Sequence, residues 1–192
     1  LFNLAGQTSH MDSMQDPYTD LEINAKAQLF ILESCRKYNP DVKIIFASTR
    51  QIYGRPDYLP IDEKHPLRPV DVNGINKMAG EWYHILYNNV YGIRAVSLRL
   101  TNTYGPRMRV KDARQTFLGI WIKRLIEGEP LEIWGDGTAI RSYTYVSDLV
   151  DGIYLLMQSD LQGAANIGRP EYVTVDELVH TVADVAGKKI RI

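Results

Sequence analysis

Asn73 and Lys77 stand four residues apart at the start of a helical pattern, so both side chains leave one face, a turn apart. An ammonium at such a place can hold a neighbouring anion by its charge. A carboxamide can hold a hydroxyl by hydrogen bonds but has no proton equilibrium near neutral pH. Ser48 and Thr49, about two dozen residues earlier, bring two hydroxyls to the end of an apolar run. Arg141 offers a permanently charged guanidinium fork, which suits diphosphate oxygens, although a surface arginine also serves in ordinary ion pairs. The four histidines, His10, His65, His84 and His180, lie far apart without the paired spacing of a zinc site, and no metal site is expected. The single cysteine, Cys35, falls inside a helical pattern, where core packing is its expected role.

These residues must be held by an alternation of short β-rich runs and longer amphipathic stretches, the pattern of helices crossing over between parallel strands. Leu1 to Ala5 reads as a strand. From Thr19 to Tyr38 a helix is predicted, with Leu21, Ala25, Leu29, Leu32 and Cys35 on one face, ended by Asn39-Pro40-Asp41. Val42 to Ala47 is a buried strand with Ser48 and Thr49 following it, and a proline-rich loop runs on to about Val72. Asn73 to Val90 is the next helix, Ile93 to Leu98 the next strand, and Arg99 to Arg107 a loop at its carboxyl end. Ligands of open parallel sheets bind outside the carboxyl ends of the strands, so the segments beginning at Gly6, Ser48 and Arg99 are expected to line one crevice.

Further along, the spacing predicts a helix over Phe117 to Gly128, a short strand over Leu131 to Trp134, and a turn at Gly135-Asp136-Gly137. An extended run follows over Ala139 to Val146, then helices over Asp148 to Met157 and Val173 to Ala186. The last of these opens on a capping box of Thr174 with Glu177. The fold class is therefore α/β, a parallel sheet with flanking helices plus a small lobe. Residues 1–109 form the first domain, and 110–192 form mainly the lobe, interleaved with the main sheet.

The chain has 192 residues, 45% of them apolar, with 22 Lys plus Arg against 23 Asp plus Glu. A net charge of −1 gives no basic stripe for a nucleic acid. Apolar runs are strand-sized, far below the roughly 20 residues that cross a bilayer, so no membrane segment is expected. The chain opens on Leu1 without an initiator Met, signal peptide or basic targeting segment, and reads like the middle of a protein.

Several motifs resemble those of the extended short-chain dehydrogenases/reductases, the epimerase/dehydratase family acting on nucleotide sugars. Ser48-Thr49-Arg50-Gln51-Ile52-Tyr53-Gly54 is similar to its S-S/T-x-x-V-Y-G motif, Asn3-Leu4-Ala5-Gly6 to its H-L-A-A strand end, and Asn24 to its helix Asn. Arg99 to Arg107 resembles R-x-x-N-x-Y-G-P. Trp134-Gly135-Asp136-Gly137 through Arg141, Tyr143, Val146 and Asp148 resembles G-D-G…R-D-Y-x-x-V-x-D, and Asn166-Ile167-Gly168 a late N-x-G. The matches follow family order over almost the whole chain.

The resemblance implies a Rossmann-like sheet with a substrate-binding lobe, NAD as cofactor, a nucleotide-diphosphate sugar as partner and a cytoplasmic location, and it leaves room for a homodimer. It places Ala5, Gly6, Asn24, Ser48 and Lys77 on the cofactor, with Ala5 and Gly6 near the adenosine half and Lys77 on the nicotinamide ribose. It also puts Thr49 on the hydroxyl under oxidation, Asn102 on the sugar nucleotide and Arg141 on its pyrophosphate. Two departures matter. The family's base is a tyrosine four residues before the lysine, and here that position is Asn73, so a water, Asp71 or Lys77 must take the proton or turnover is lost. Tyr83 and Tyr87 lie too far along the helix to fill the slot. Arg50 and Gln51 replace the acid and base of the 4,6-dehydratases, which points away from dehydration by that route and leaves epimerisation or simple redox chemistry, of which 4-epimerisation, an isomerase activity, is the favoured expectation. The family's opening strand and G-x-x-G-x-x-G turn, which hold the dinucleotide pyrophosphate, do not occur in these residues. The first βαβ units are expected to be missing.

Overall fold

The computed structural model describes residues 1–111, 117–133 and 135–189. Four strands, β1 (Phe2–Asn3), β2 (Lys43–Thr49), β3 (Arg94–Leu100) and β7 (Gly163–Ile167), form one parallel sheet in the order β1-β2-β3-β7. They belong to one compact unit, Leu1–Thr101 with Ser147–Ile167. A second unit comprises Asn102–Val146 and Gly168–Ile192.

In the first unit the sheet is covered on both faces, as its continuous apolar strands require. Ile44 and Ala95 pack with Leu32, Tyr87 and Ile93 against α3 (Ala27–Tyr38) and α4 (Val72–Tyr91). Ile45, Val96 and Leu98 point the other way, onto Leu149 and Ile153 of α6 (Val146–Gln158). Side chains alternate along a strand, so β2 also turns Phe46 and Ser48 toward α4, and β3 turns Ser97 and Arg99 the same way. The surface under α4 thus runs from apolar at the amino ends of the strands to polar at their carboxyl ends.

The helix predicted over Thr19 to Tyr38 is segmented. α1 (His10–Gln15) and α2 (Pro17–Leu21) lead into a π-turn at Glu22–Lys26 before α3 begins. The wider turn rotates what precedes it, so Leu21 leaves the buried face that Ala25 and Leu32 keep. Gly80 of α4 permits this turn to come close: a Cβ there would lie 2.8 Å from the Asn24 carbonyl oxygen. Ser48, Thr49 and Arg99 lie within their strands rather than after them, because the parallel pairing of β2 with β3 extends through Thr49 and Leu100.

The second unit contains β4 (Asn102–Tyr104) parallel to β6 (Tyr143–Tyr145), and β5 (Ile140–Arg141) antiparallel to β8 (Val173–Thr174). It also holds α5 (Phe117–Glu127) and α7 (Val175–Ala186), the latter opened by the Thr174–Glu177 capping box. The strand predicted over Leu131 to Trp134 does not form at residues 131–133, and Trp134 lies outside the described residues. There Leu131 packs into the cluster of Trp121, Val175 and Val179 instead of pairing with a strand. Among the described residues no helix is long and apolar enough to cross a membrane, and no three potential metal ligands gather.

Arg99 closes the polar end of the main sheet. Its guanidinium meets the fully buried Glu81 of α4 at 2.5 Å and also donates to the Tyr53 hydroxyl (2.8 Å) and the Glu63 carbonyl (3.1 Å). Removing one member of a buried pair strands the other charge, at about 3–5 kcal/mol. Arg99→Met is therefore expected to lower the unfolding free energy by that amount in denaturant titration. Glu81→Leu in the same chain should recover much of the loss, and a neutral Arg99→Met would contradict the assignment.

Candidate functional site

The site forms where the chain leaving β1 crosses the start of α4. Asp71 caps that helix, its Oδ1 accepting the Gly74 N–H at 2.6 Å, while its Oδ2 lies 2.8 Å from His10 Nδ1. The Gln7 carbonyl accepts from two amides, Asn24 Nδ2 at 3.0 Å and Asn73 Nδ2 at 2.8 Å. Asn73 Nδ2 also donates to Asp20 Oδ2 (2.9 Å), and Asn76 Nδ2 to Asp20 Oδ1 (2.8 Å). Asp20 is fully buried, so these amides replace the water its carboxylate would otherwise bind. Both N–H donors of Asn73 are committed to this layer.

Lys77 lies one turn further in. Its ammonium donates to the Ala47 carbonyl at 2.9 Å, next to Ser48 on β2, and sits 5.1 Å from the centre of the Phe46 ring. Only 5% of the residue is exposed, and burial pulls its pKa down to about 8, an effect that the nearby Asp20 charge partly offsets. The group therefore holds its proton near neutrality but can release it with little alkali. The backbone of Gly6 lies against it: a Cβ there would stand 2.6 Å from Lys77 Nζ and 3.0 Å from Asn24 Oδ1. Two buried polar atoms in this region, Asn24 Oδ1 and Ser48 Oγ, have no hydrogen-bond partner among the described residues. His84 stacks on Phe46 at 4.4 Å, its Nδ1–H donates to the Gly80 carbonyl (2.8 Å), and burial lowers its pKa to about 4, so it is neutral here.

The structure thus brings together Gly6, Asn24, Asn73 and Lys77, with Ser48 beside the carbonyl that Lys77 holds. Ala5 is exposed, at the carboxyl end of β1. Thr49 is half-buried, and its hydroxyl accepts the Gln51 N–H at 3.3 Å to open the 3-10 turn Arg50–Tyr53. Asn102 and Arg141 belong to the second unit. There Asn102 Nδ2 donates to the carbonyl of Ser142 (3.1 Å), the residue after Arg141, and Arg141 donates to the Ile140 carbonyl (2.7 Å). Sequence reasoning missed Asp20, Asn76 and the pairing of His10 with Asp71. Asn76 shares a helix face with Asn73 at three-residue spacing, a signal that was present. Asp20 and His10 carried none, because their partners lie more than fifty residues away.

The model of the NAD dependent epimerase/dehydratase family matches residues 1–168, and the chain belongs to that family. It is 35% identical over 184 residues to a putative UDP-glucose 4-epimerase of Methanocaldococcus jannaschii, covering 95% of this chain and 59% of that protein. It is 32% identical over 197 residues to UDP-glucuronic acid decarboxylase 5 of Arabidopsis thaliana, covering 100% of this chain and 57% of that one. The crystal structure of a UDP-glucose 4-epimerase from Thermotoga maritima with UDP-glucose superposes with a TM-score of 0.94 at 32% identity, over 99% of this chain and 62% of that one. The chain therefore spans about three fifths of the length of the curated relatives it matches.

The family's cofactor is NAD, and the residues present fit the ribose of such a dinucleotide. A buried ammonium with donors to spare, backbone that approaches it only because residue 6 is glycine, and unpartnered polar atoms at Asn24 and Ser48 are what a ribose diol would meet.

Asn73→Ala should lower the unfolding free energy by about 1.5–3 kcal/mol, because the buried Asp20 carboxylate loses one of its two amide donors. Equilibrium denaturation checks this. A change under about 0.5 kcal/mol, the range of ordinary surface substitutions, would show that the amide holds nothing.

Proposed function

We propose that the full-length protein is an NAD-dependent nucleotide-sugar epimerase of the 4-epimerase type. The observation that carries this reading is the buried Lys77 ammonium, lodged between the Ala47 carbonyl and the Gly6 backbone at the carboxyl ends of β1 and β2. On this reading the first unit is part of a Rossmann-type domain, and the second contributes the substrate-binding lobe, with Asn102 and Arg141 on the nucleotide diphosphate. Lys77 holds the nicotinamide ribose. Gly6, whose backbone lies against Lys77, is assigned to the same cofactor. Asn24 and Ser48 offer their free polar atoms to the same end, and Ala5 exposes the neighbouring backbone. A bound NAD would supply reversible hydride transfer to and from the sugar carbon. The chain's part is to place the sugar hydroxyl beside Thr49 Oγ1 and to manage its proton.

Arg50 and Gln51, in place of an acid and a base, support epimerisation over dehydration. A second reading, a nucleotide-sugar-binding protein without turnover, is favoured by one observation: Asn73 stands where the family's tyrosine would, and an amide with both N–H groups engaged cannot take a proton.

Incubation of the full-length protein with NAD and, separately, UDP-glucose, UDP-N-acetylglucosamine and UDP-glucuronic acid tests these readings by mass spectrometry and NMR. We expect a product of unchanged mass, inverted at C4. Loss of water or of carbon dioxide would make the protein a dehydratase or a decarboxylase, and binding without conversion would favour the second reading.

A further inference from the structure

We propose that His10, held by Asp71, is the group that takes and returns the substrate's hydroxyl proton in this site. The inference rests on the epimerase reading above and assigns the one function that Asn73 cannot supply.

Four observations support it. His10 is the first residue of α1, on the same segment whose Gly6 touches Lys77 and whose Gln7 carbonyl is fixed by Asn24 and Asn73. Its backbone is anchored, since the fully buried Ser13 donates its hydroxyl to the His10 carbonyl at 2.8 Å and Ser9 caps the helix through the Asp12 N–H at 3.1 Å. Its Nδ1 meets Asp71 Oδ2 at 2.8 Å, and Asp71 is itself immobile: 5% of its side chain is exposed, and its other oxygen caps α4. A carboxylate on Nδ1 fixes the tautomer that leaves Nε2 as the free base. The His10 side chain is 51% exposed and lines an open recess of about 380 Å³ with Met11, Met14 and Gln15 of α1, so its ring is accessible from solvent. Nε2 has no hydrogen-bond partner among the described residues.

The positions are also suited to the task. Asp71 caps the helix whose first turns carry Asn73 and Lys77, so His10 is held at the same end of α4 as the position that lacks the family's base. In the forward direction the hydroxyl O–H bond breaks and its proton passes to His10 Nε2; a bound nicotinamide would take up the C–H hydride, which leaves the carbon–oxygen bond as a carbonyl. In the return direction His10 gives the proton back to the oxygen, so neither protons nor electrons are consumed overall. The charged groups on α1 and the helices packed against it are Asp12 on α1 itself, Asp16 and Asp20 before and within α2, Asp71 capping α4, and Lys77 and Glu81 on α4.

The test uses the full-length protein and has two readouts. The first is turnover of the nucleotide sugar that the wild type converts, measured against pH. His10→Gln is expected to lower kcat by about a hundred to ten thousand fold and to abolish the acidic limb of the profile. Asp71→Asn, which keeps an oxygen for the Gly74 cap, should retain the fold, lose less rate and shift that limb. The second readout needs no turnover: addition of UDP-glucose to the NAD-loaded protein should move the His10 imidazole resonances in ¹H–¹⁵N NMR. A His10→Gln protein with wild-type kcat, one that slows but keeps its acidic limb, or His10 resonances indifferent to UDP-glucose would each overturn the proposal while leaving the epimerase reading intact. A wild type that converts no nucleotide sugar would overturn both.

Discussion

An ammonium buried at the end of a parallel sheet is the constraint around which the rest of this protein is arranged. Lys77 is withdrawn from water against Phe46, Ala47 and Gly6, and its charge survives because a carbonyl accepts from it and Asp20 lies near. Its pKa of about 8 in the fold lies below the 10.5 of a solvated lysine. The unfolded chain therefore binds more protons between those values, and folding stability rises as pH climbs through that window, by about 3 kcal/mol at most. Below pH 8 the full cost is borne by the fold. A group held at such cost is more readily explained by binding or chemistry than by packing.

The cost is met by a polar layer rather than an apolar one. α4 turns Asn73, Asn76, Lys77, Glu81 and His84 toward the sheet and its covering turns, and each finds a partner: Asp20, Asp20 again, Ala47, Arg99 and Phe46. The same face carries Gly74 and Gly80, where a Cβ would crowd Pro69 and the Asn24 carbonyl. The segment after β1 is tied down by Gln7, so Ala5 and Gly6, exposed just beyond that strand, are presented by backbone that is already fixed. Preorganisation of this kind spares a ligand the cost of ordering its own site.

Much of this was legible from residue order alone. The strands over residues 43–49 and 94–100 and the helix of residues 72–91 announce themselves by apolar content and length, and the motifs at Ser48–Gly54 and Asn73–Lys77 locate the site on them. What was not legible has physical causes. Periodicity assumes a regular 3.6-residue helix, so the π-turn at Glu22–Lys26, which displaces Leu21 from the core, leaves no trace in the pattern. It also assumes that a buried helix face is apolar, whereas the inner face of α4 is polar. The burial of Asp20 and the approach of His10 to Asp71 join residues that are 53 and 61 positions from their partners, a distance at which spacing carries no information. The strand ends were placed too early because Ser48, Thr49 and Arg99 are polar, although pairing continues through them.

The central claim is that Lys77 sits in a dry, prepared pocket and not on a solvated helix surface. The most direct test is an NMR titration of its side chain, following the ¹³Cε and ¹⁵Nζ resonances of the selectively labelled protein. The account predicts a midpoint near 8. A midpoint near 10.4, that of a lysine in water, would contradict it.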